Sequence, residues 1–289
     1  MGPFRRFSCF SLSFSWFCFL LWSTGSDAWW VKGHGLIAEA AASRLPTDMP
    51  RFFVSSGKSL SHLAGDPDRW KNRDTTFLNK TEYSEHFLDL EDLDGHEWPS
   101  DRFKYIELCQ KLNKKPNQVG FIPYTLMDYY EKLALAFADH RKDPENEAIR
   151  MKCIVFAGCL AHYTGDVCMP LHTTRDYDGR KGPNGQMLQK GIHAKIDGFP
   201  ETHGFTAEEI ARALEPRKVE DFWKHVQKTF MDSHAQIERC YELDMEKAFD
   251  KPTAASRAFI MQRCQASAQF TLDAWYNAWL RSAQLTPAY

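Results

Sequence analysis

Residues 161–174 read AHYTGDVCMPLHTT and close a long helical pattern. His162 and Asp166 are four residues apart, so on an α-helix both side chains lie on the same face. Pro170 has no N–H and cannot continue the helix, so the turn that it causes is expected to bring His172 toward the same space. Imidazole nitrogens and carboxylate oxygens are ligands that suit zinc. The stretch is equally compatible with a metal site and with a His–Asp hydrogen bond on a helix surface beside an unrelated histidine.

The remainder of the chain after residue 28 is predicted to be almost entirely helical. No alternating strand pattern exceeds four or five residues, and long apolar stretches repeat with the helical period. The sequence therefore predicts one all-α, multi-helix domain over residues 29–289. The predicted helices are 34–45, 48–65 with a break at Gly57, a short helix ending near 112, 124–140, 145–166, 219–249 and 254–284. The segments 66–85, 90–101 and 175–191 are expected to be irregular.

Residues 1–28 have the pattern of a secretory signal peptide. Arg5 and Arg6 precede an apolar run over residues 7–22, and small residues follow near position 28. The run is short and interrupted by serine, which favours a cleaved signal over a membrane anchor. We therefore expect a secreted or periplasmic protein whose mature chain begins at Trp29.

Charge and cysteine content narrow the function classes. The chain has 36 basic and 38 acidic side chains, a formal net charge of −2, which does not indicate a nucleic-acid binder by bulk electrostatics. Bound divalent cations would offset that charge, so an anionic substrate is not excluded. No CxxC pair is present, which argues against a zinc–thiolate site. The six cysteines after residue 28 allow up to three disulfides, and Cys240 with Cys264 is the predicted pair because two helical patterns meet midway between them.

Further potential ligands lie elsewhere in the chain. A second His-x-x-x-Asp pair repeats the spacing of the first, and the other candidates stand near the start of the mature chain or in polar segments. Any one of them alone is more often structural than metal-binding, but their combination is unusual. These candidates are His34, Asp66, Asp68, His86, His193 and Asp197.

Together these motifs resemble the superfamily that joins the single-strand-specific zinc nucleases of fungi and plants with the zinc-dependent phospholipases C of bacteria. The matching pieces are WWVKGH, AGDPDR, HFLD, HYTGDVCMPLH and GIHAKID, in the order of the family. They span nearly the whole mature chain. The resemblance implies an all-helical domain with three zinc ions at the bottom of a cleft.

The resemblance also implies a ligand set for each ion. The first ion would take Asp66, His86, His162 and Asp166, and the second would take His172, His193 and Asp197. The third would take the amino group and carbonyl of Trp29, the side chain of His34 and the second oxygen of Asp166. Asp68 remains an alternative to Asp66, which we prefer because Asp-x-x-Arg matches the spacing of the family.

The implied reaction is hydrolysis of a phosphoester bond by a metal-activated hydroxide. Asp166 would bridge two ions about 3.5 to 4 Å apart, and Asp66 would orient the attacking water. We expect Phe87 to stack on a base and Asp89 to hydrogen-bond its edge.

The substrate class stays open between the two branches of the superfamily. Single-stranded nucleic acid or nucleotides are preferred, as for an endonuclease with possible 3′-nucleotidase activity. Met169 and Ile196 depart from the nuclease pattern, and GIHAKID and QASAQFTLDAWYNAWL look more like the phospholipase branch, so a phospholipase C acting on phosphatidylcholine-like lipids is the alternative. A helical protein that binds zinc without turnover is the third possibility. No protein partner is implied.

Overall fold

The computed structural model describes Gly2 and residues 29–286. Apart from Gly2, the predicted signal peptide lies outside the described residues. The described chain is built from α-helices and short 3₁₀ turns, and the predicted all-α class is confirmed. The α-helices are α1 (Val31–Ala42), α2 (Arg51–Val54), α3 (Gly57–Leu63), α4 (Asp66–Trp70), α5 (Thr76–Glu82), α6 (Arg102–Lys111), α7 (Pro116–Val119), α8 (Ile122–Lys142), α9 (Glu147–Val167), α10 (Ile192–Asp197), α11 (Phe199–Thr202), α12 (Ala207–Ala211), α13 (Phe222–His234), α14 (Ile237–Met245) and α15 (Ala254–Ser282).

Short elements connect these helices. The 3₁₀ turns are Tyr83–Glu85, Leu90–Leu93 and Pro170–Thr173. A small antiparallel hairpin is formed by β1 (Arg180–Lys181) and β2 (Met187–Leu188), with Arg180 opposite Leu188. This hairpin lies in the segment between His172 and His193 that we expected to be irregular.

Two secondary-structure predictions are wrong. The segment 66–85 is not irregular, because it contains α4 and α5. Pro67 stands in the first turn of α4, where a missing N–H breaks no helical hydrogen bond. The predicted helix 219–249 is divided into α13 and α14. His234 ends α13 with its Nδ1 3.0 Å from the carbonyl oxygen of Thr173, so a contact with a distant segment stabilises the break.

Helix α9 runs through the core, packed against α8, α15, α3 and α1. Its start is capped by the Asn146 side chain, which accepts from the backbone N–H groups of Ala148 and Ile149. Small residues on α9 permit close approach: a Cβ at Gly158 would lie 2.3 Å from the Cβ of Leu63 on α3. These contacts hold the end of α9, and therefore the AHYTGD sequence, in a fixed position.

Buried polar contacts fix α15 against α9. The Trp275 Nε1 donates to the carbonyl oxygen of Ala157 at 2.9 Å, and the hydroxyls of Thr164 and Thr271 are 2.7 Å apart. Satisfied polar groups of this kind specify a single register, because shifting either helix would leave them buried without partners.

The six cysteines of the described residues are buried and free. The predicted Cys240–Cys264 disulfide is therefore not formed in this structure, and burial raises the pKa of both thiols. Within residues 29–286, no helix is long and apolar enough to cross a membrane.

Candidate metal centre

The end of α9 places a carboxylate between two groups of imidazoles. His162 and Asp166 are both fully buried, with Nε2 of His162 3.2 Å from Oδ2 of Asp166. The same Oδ2 lies 3.0 Å from Nδ1 of His86, whereas Oδ1 lies 3.2 Å from Nε2 of His34. Each oxygen of Asp166 therefore faces a different group of potential ligands, as a bridging carboxylate requires.

The first group, cluster A, consists of Asp68, His86, His162 and Asp166. Nδ1 of His86 and Nε2 of His162 are 2.9 Å apart, and Oδ1 of Asp68 lies 3.9 Å and 3.8 Å from these two atoms. Zinc with bonds of about 2.0–2.1 Å in a tetrahedron separates its ligands by about 3.3 Å. The distances from the two histidines to each other, to Asp68 and to Asp166 scatter around that value, so these donors fit a zinc ion.

Asp68, and not Asp66, is brought to cluster A. Asp66 is partly exposed and forms an ion pair with Arg69 at 2.5 Å, whereas the Asp68 side chain is 1% exposed. Two residues on one short helix point about 200° apart, so α4 can turn only one of these carboxylates inward. The structure therefore brings Asp68, and not the expected Asp66, to His86 and His162, and the roles of Asp66 as ligand and catalytic residue stay predictions.

The second group, cluster B, consists of His172, His193 and Asp197, whose ligand atoms all lie within 4.8 Å of one another. His193 and Asp197 are one turn apart on α10, with Nε2 3.3 Å from Oδ2. His172 follows the turn at Pro170, and its Nδ1 lies 2.6 Å from the carbonyl oxygen of His86. That contact leaves the buried Nε2 of His172 without a hydrogen-bond partner and available to an ion.

The third group, cluster C, consists of His34, His162 and Asp166. Neither ring nitrogen of the fully buried His34 has a hydrogen-bond partner, although Nε2 lies near Asp166. Trp29 packs beside it: a Cβ at Gly165 would lie 2.9 Å from Nδ1 of His34 and 3.8 Å from Cδ1 of Trp29. The absence of a side chain at Gly165 thus lets Trp29 and His34 approach the bridging carboxylate.

The protonation states of these clusters suit a cation. Burial lowers the pKa of His34 to about 4, assisted by the charge of His162. Burial also lowers the pKa of His172 and, with the charge of His172, holds the pKa of His193 well below its usual value. Burial opposes ionisation of Asp166, but the neighbouring His162 and His172 keep its pKa well below the usual range. The lowered pKa values favour neutral His34, His172 and His193 and an ionised Asp166, which are the forms that bind metal. His162 differs, because the charges of Asp166 and Asp68 outweigh its burial and raise its pKa.

A cleft of about 520 Å³ is lined by His86 of cluster A and by His172 and His193 of cluster B. Both predicted substrate-binding residues, Phe87 and Asp89, also line it. The segment that carries them pairs with residues near Gly120, with the N–H of Asp89 donating to the Val119 carbonyl at 2.7 Å. A Cβ at Gly120 would lie 2.8 Å from Cδ2 of the Phe87 ring, and Gly120 has φ +102°. Gly120 is therefore required for the position of Phe87.

Asp89 lies in an acidic region of the cleft. Burial, with the nearby charges of Asp92 and Glu91, raises the pKa of Asp89 to about 8. A protonated carboxyl of this kind can donate as well as accept a hydrogen bond.

Sequence reasoning missed Lys71, which lines the cleft with its Nζ 2.7 Å from Oδ1 of Asp68. Its side chain is only 6% exposed. The signal was present in the spacing, since Lys71 follows Asp68 by three residues and therefore lies on the same side of the chain.

The chain matches one protein family and is similar in structure to two bacterial toxins. Residues 29–289 match the S1/P1 Nuclease family, and no sequence match among curated proteins was found. Among solved structures, the alpha-toxin of Clostridium absonum is similar to this chain, with 14% sequence identity and a TM-score of 0.44. An alpha-toxin of Clostridium perfringens from avian strain SWCP is also similar, with 16% sequence identity and a TM-score of 0.45. Each alignment covers 88% of this chain, which spans 64% and 63% of the respective toxin chains. The family match includes every residue of clusters A, B and C.

Proposed function

Because the chain belongs to the S1/P1 nuclease family, we propose that it is a secreted, zinc-dependent phosphodiesterase that cleaves single-stranded nucleic acid. Removal of a 3′-phosphate from nucleotides is included in the proposal. One observation carries it: the two oxygens of Asp166 face different histidines, Oδ1 toward His34 and Oδ2 toward His86, and His86 also lines the cleft. A structural zinc needs one closed shell of four ligands, so adjacent clusters that share a carboxylate favour catalysis over a purely structural role.

We assign three zinc ions to the clusters. Cluster A would hold the first ion and cluster B the second. The third would be held by His34 and Asp166 together with the amino group and carbonyl of Trp29, once signal cleavage has released that amino group. An α-amino group with an ordinary pKa of about 8 can lose its proton to a metal.

Each residue around the ions would have a separate role in hydrolysis. When bound, zinc supplies Lewis acidity and lowers the pKa of water toward about 7. Asp68 takes the role first given to Asp66, since its buried carboxylate can orient a water and accept a proton. Lys71 contacts Asp68 from the cleft and is placed to neutralise a phosphate oxygen. Phe87 offers a ring for base stacking, and Asp89 a carboxyl for the base edge.

Phospholipase C activity is the second candidate function. Tyr83 and Tyr177 line the cleft and remain 50% and 45% exposed, which gives its mouth an aromatic rim. Amphipathic aromatic rings are favourable at a lipid–water interface. A phosphatidylcholine headgroup would present the same phosphodiester chemistry to the clusters.

A paired assay separates these functions. The mature protein, loaded with zinc, is given single-stranded DNA or RNA in one reaction and phosphatidylcholine vesicles in another, each with a chelator control. Cleavage of nucleic acid that the chelator abolishes supports the nuclease, and release of phosphocholine alone selects the phospholipase. Bound zinc without turnover of either substrate would instead favour a binding protein.

A further inference from the structure

Glu82 lies behind cluster A, on the side of His86 that faces away from the other ligands. Nδ1 of His86 points to His162 and Asp166, and Nε2 of the same ring lies 3.2 Å from Oε1 of Glu82. The Glu82 side chain is 9% exposed. A carboxylate buried this deeply needs a specific reason, because its desolvation is unfavourable unless a partner compensates for it.

Tyr163 supplies a second contact to the same oxygen. Its hydroxyl donates to Oε1 of Glu82 at 2.6 Å, and Tyr163 directly follows the ligand His162 on α9. The Tyr163 ring also stacks on Tyr129, with centroids 5.4 Å apart and planes inclined by 25°. The contacts with His86 and Tyr163 therefore hold the Glu82 carboxylate in one orientation.

We propose that Glu82 is a positioning residue: its carboxylate accepts a hydrogen bond from Nε2–H of His86. This hydrogen bond leaves Nδ1 of His86 unprotonated and directed at the ion of cluster A. Tyr163 holds Glu82 in place. The inference rests on the proposed zinc site. A histidine that binds metal through one nitrogen needs its other nitrogen oriented, and such outer carboxylates fix the tautomer and increase the basicity of the ligand. The Nε2–Oε1 pair is within ion-pair distance but not aligned as a linear hydrogen bond. We expect the His86 ring to rotate slightly when an ion binds Nδ1, so that Nε2–H points at Oε1 of Glu82.

Two other histidines of the clusters, His162 and His172, are held differently. Nδ1 of His162 lies 2.8 Å from the carbonyl oxygen of Ala64, and Nδ1 of His172 lies 2.6 Å from that of His86. Those two imidazoles are oriented by neutral backbone groups, whereas His86 faces a charged side chain. Removing the charge at residue 82 should therefore weaken the ion in cluster A selectively.

The test is zinc affinity of the mature protein in chelator-buffered zinc, measured for wild type, Glu82→Gln, Tyr163→Phe and Tyr129→Phe. We expect Glu82→Gln to weaken one of the bound ions by about 10- to 100-fold, and Tyr163→Phe to weaken the same ion by a smaller factor. Tyr129→Phe is the matched control, because it removes a hydroxyl from the same aromatic stack without touching Glu82. It should leave all zinc affinities unchanged.

A second readout separates positioning from general destabilisation. The unfolding temperature of the zinc-free protein reports loss of packing, and zinc affinity reports orientation of the ligand. Equal zinc affinity of Glu82→Gln and wild type would overturn the inference, as would a loss equal to that of the Tyr129→Phe control. If Glu82→Gln does not fold, an unchanged zinc affinity of Tyr163→Phe would overturn the inference instead. Failure of wild type to bind zinc would instead remove the proposed function on which the inference rests.

Discussion

Replacing Asp166 by asparagine tests the bridging arrangement directly. The amide keeps the shape of the side chain but removes its charge, and one of its two terminal atoms becomes a donor. Because Oδ1 faces cluster C and Oδ2 faces cluster A, two ions lose a ligand. Zinc-site free energies of about 10–16 kcal/mol spread over four ligands give about 3 kcal/mol for each ligand. Each of the two ions should therefore bind about 100-fold more weakly, or worse.

Asp197→Asn is the matched control for this substitution. Asp197 is also fully buried, ends a His-x-x-x-Asp pair and belongs to cluster B alone. Metal analysis after dialysis at low free zinc should show a loss of two ions in Asp166→Asn and of one in Asp197→Asn, with hydrolysis reduced in both. Equal losses of zinc in the two variants would refute the bridging role, and unchanged zinc content in Asp166→Asn would refute the assignment of both ions.

Three other substitutions or changes have defined outcomes. Gly165→Ala gains about 1 kcal/mol of helix propensity but places a Cβ 2.9 Å from Nδ1 of His34. We therefore expect a folded protein that has lost about one zinc ion, as measured by metal analysis. Full retention of zinc would contradict this expectation. Residues added before Trp29 should likewise remove about one zinc ion relative to protein that begins at Trp29, and equal zinc content would exclude the amino group as ligand. Asp89→Asn should stabilise the protein increasingly from pH 4 to pH 8, because the folded carboxyl keeps its proton up to about pH 8 whereas the unfolded one releases it near pH 4. Denaturation at pH 5 and pH 8 measures this, and a pH-independent difference between the two proteins would show that Asp89 is not buried as described.

Much of the fold could be predicted because it depends on local patterns. The long helices α8, α9 and α15 carry apolar residues at the helical period over many turns, and each was predicted to within a few residues. The break between α13 and α14 could not be read in this way, because it depends on the contact of His234 with Thr173, 61 residues away. Helices α4 and α5 were missed because short polar helices have weak periodicity.

The candidate ligands that were easiest to predict are those paired along one helix. Spacing of four residues places His162 with Asp166, and His193 with Asp197, without knowledge of the tertiary fold. His34 and His86 could be assigned only by resemblance, because their approach to α9 depends on close packing, as at Gly165.

The choice between Asp66 and Asp68 shows where helical geometry constrains a site without determining it. Residues two apart on a helix point in nearly opposite directions, so once AGDPDR is known to form α4, only one of its two carboxylates can face inward. The sequence does not say which. The burial of α4 against α9 settles the question, since Asp68 faces His86 and His162 while Asp66 is left beside Arg69. The orientation of α4 that turns Asp68 inward also places Lys71, because Lys71 lies three residues later and its ammonium therefore faces cluster A as well. Had Asp66 been the inward residue, Arg69 would have occupied that position, so the inward carboxylate and the neighbouring cation are selected together.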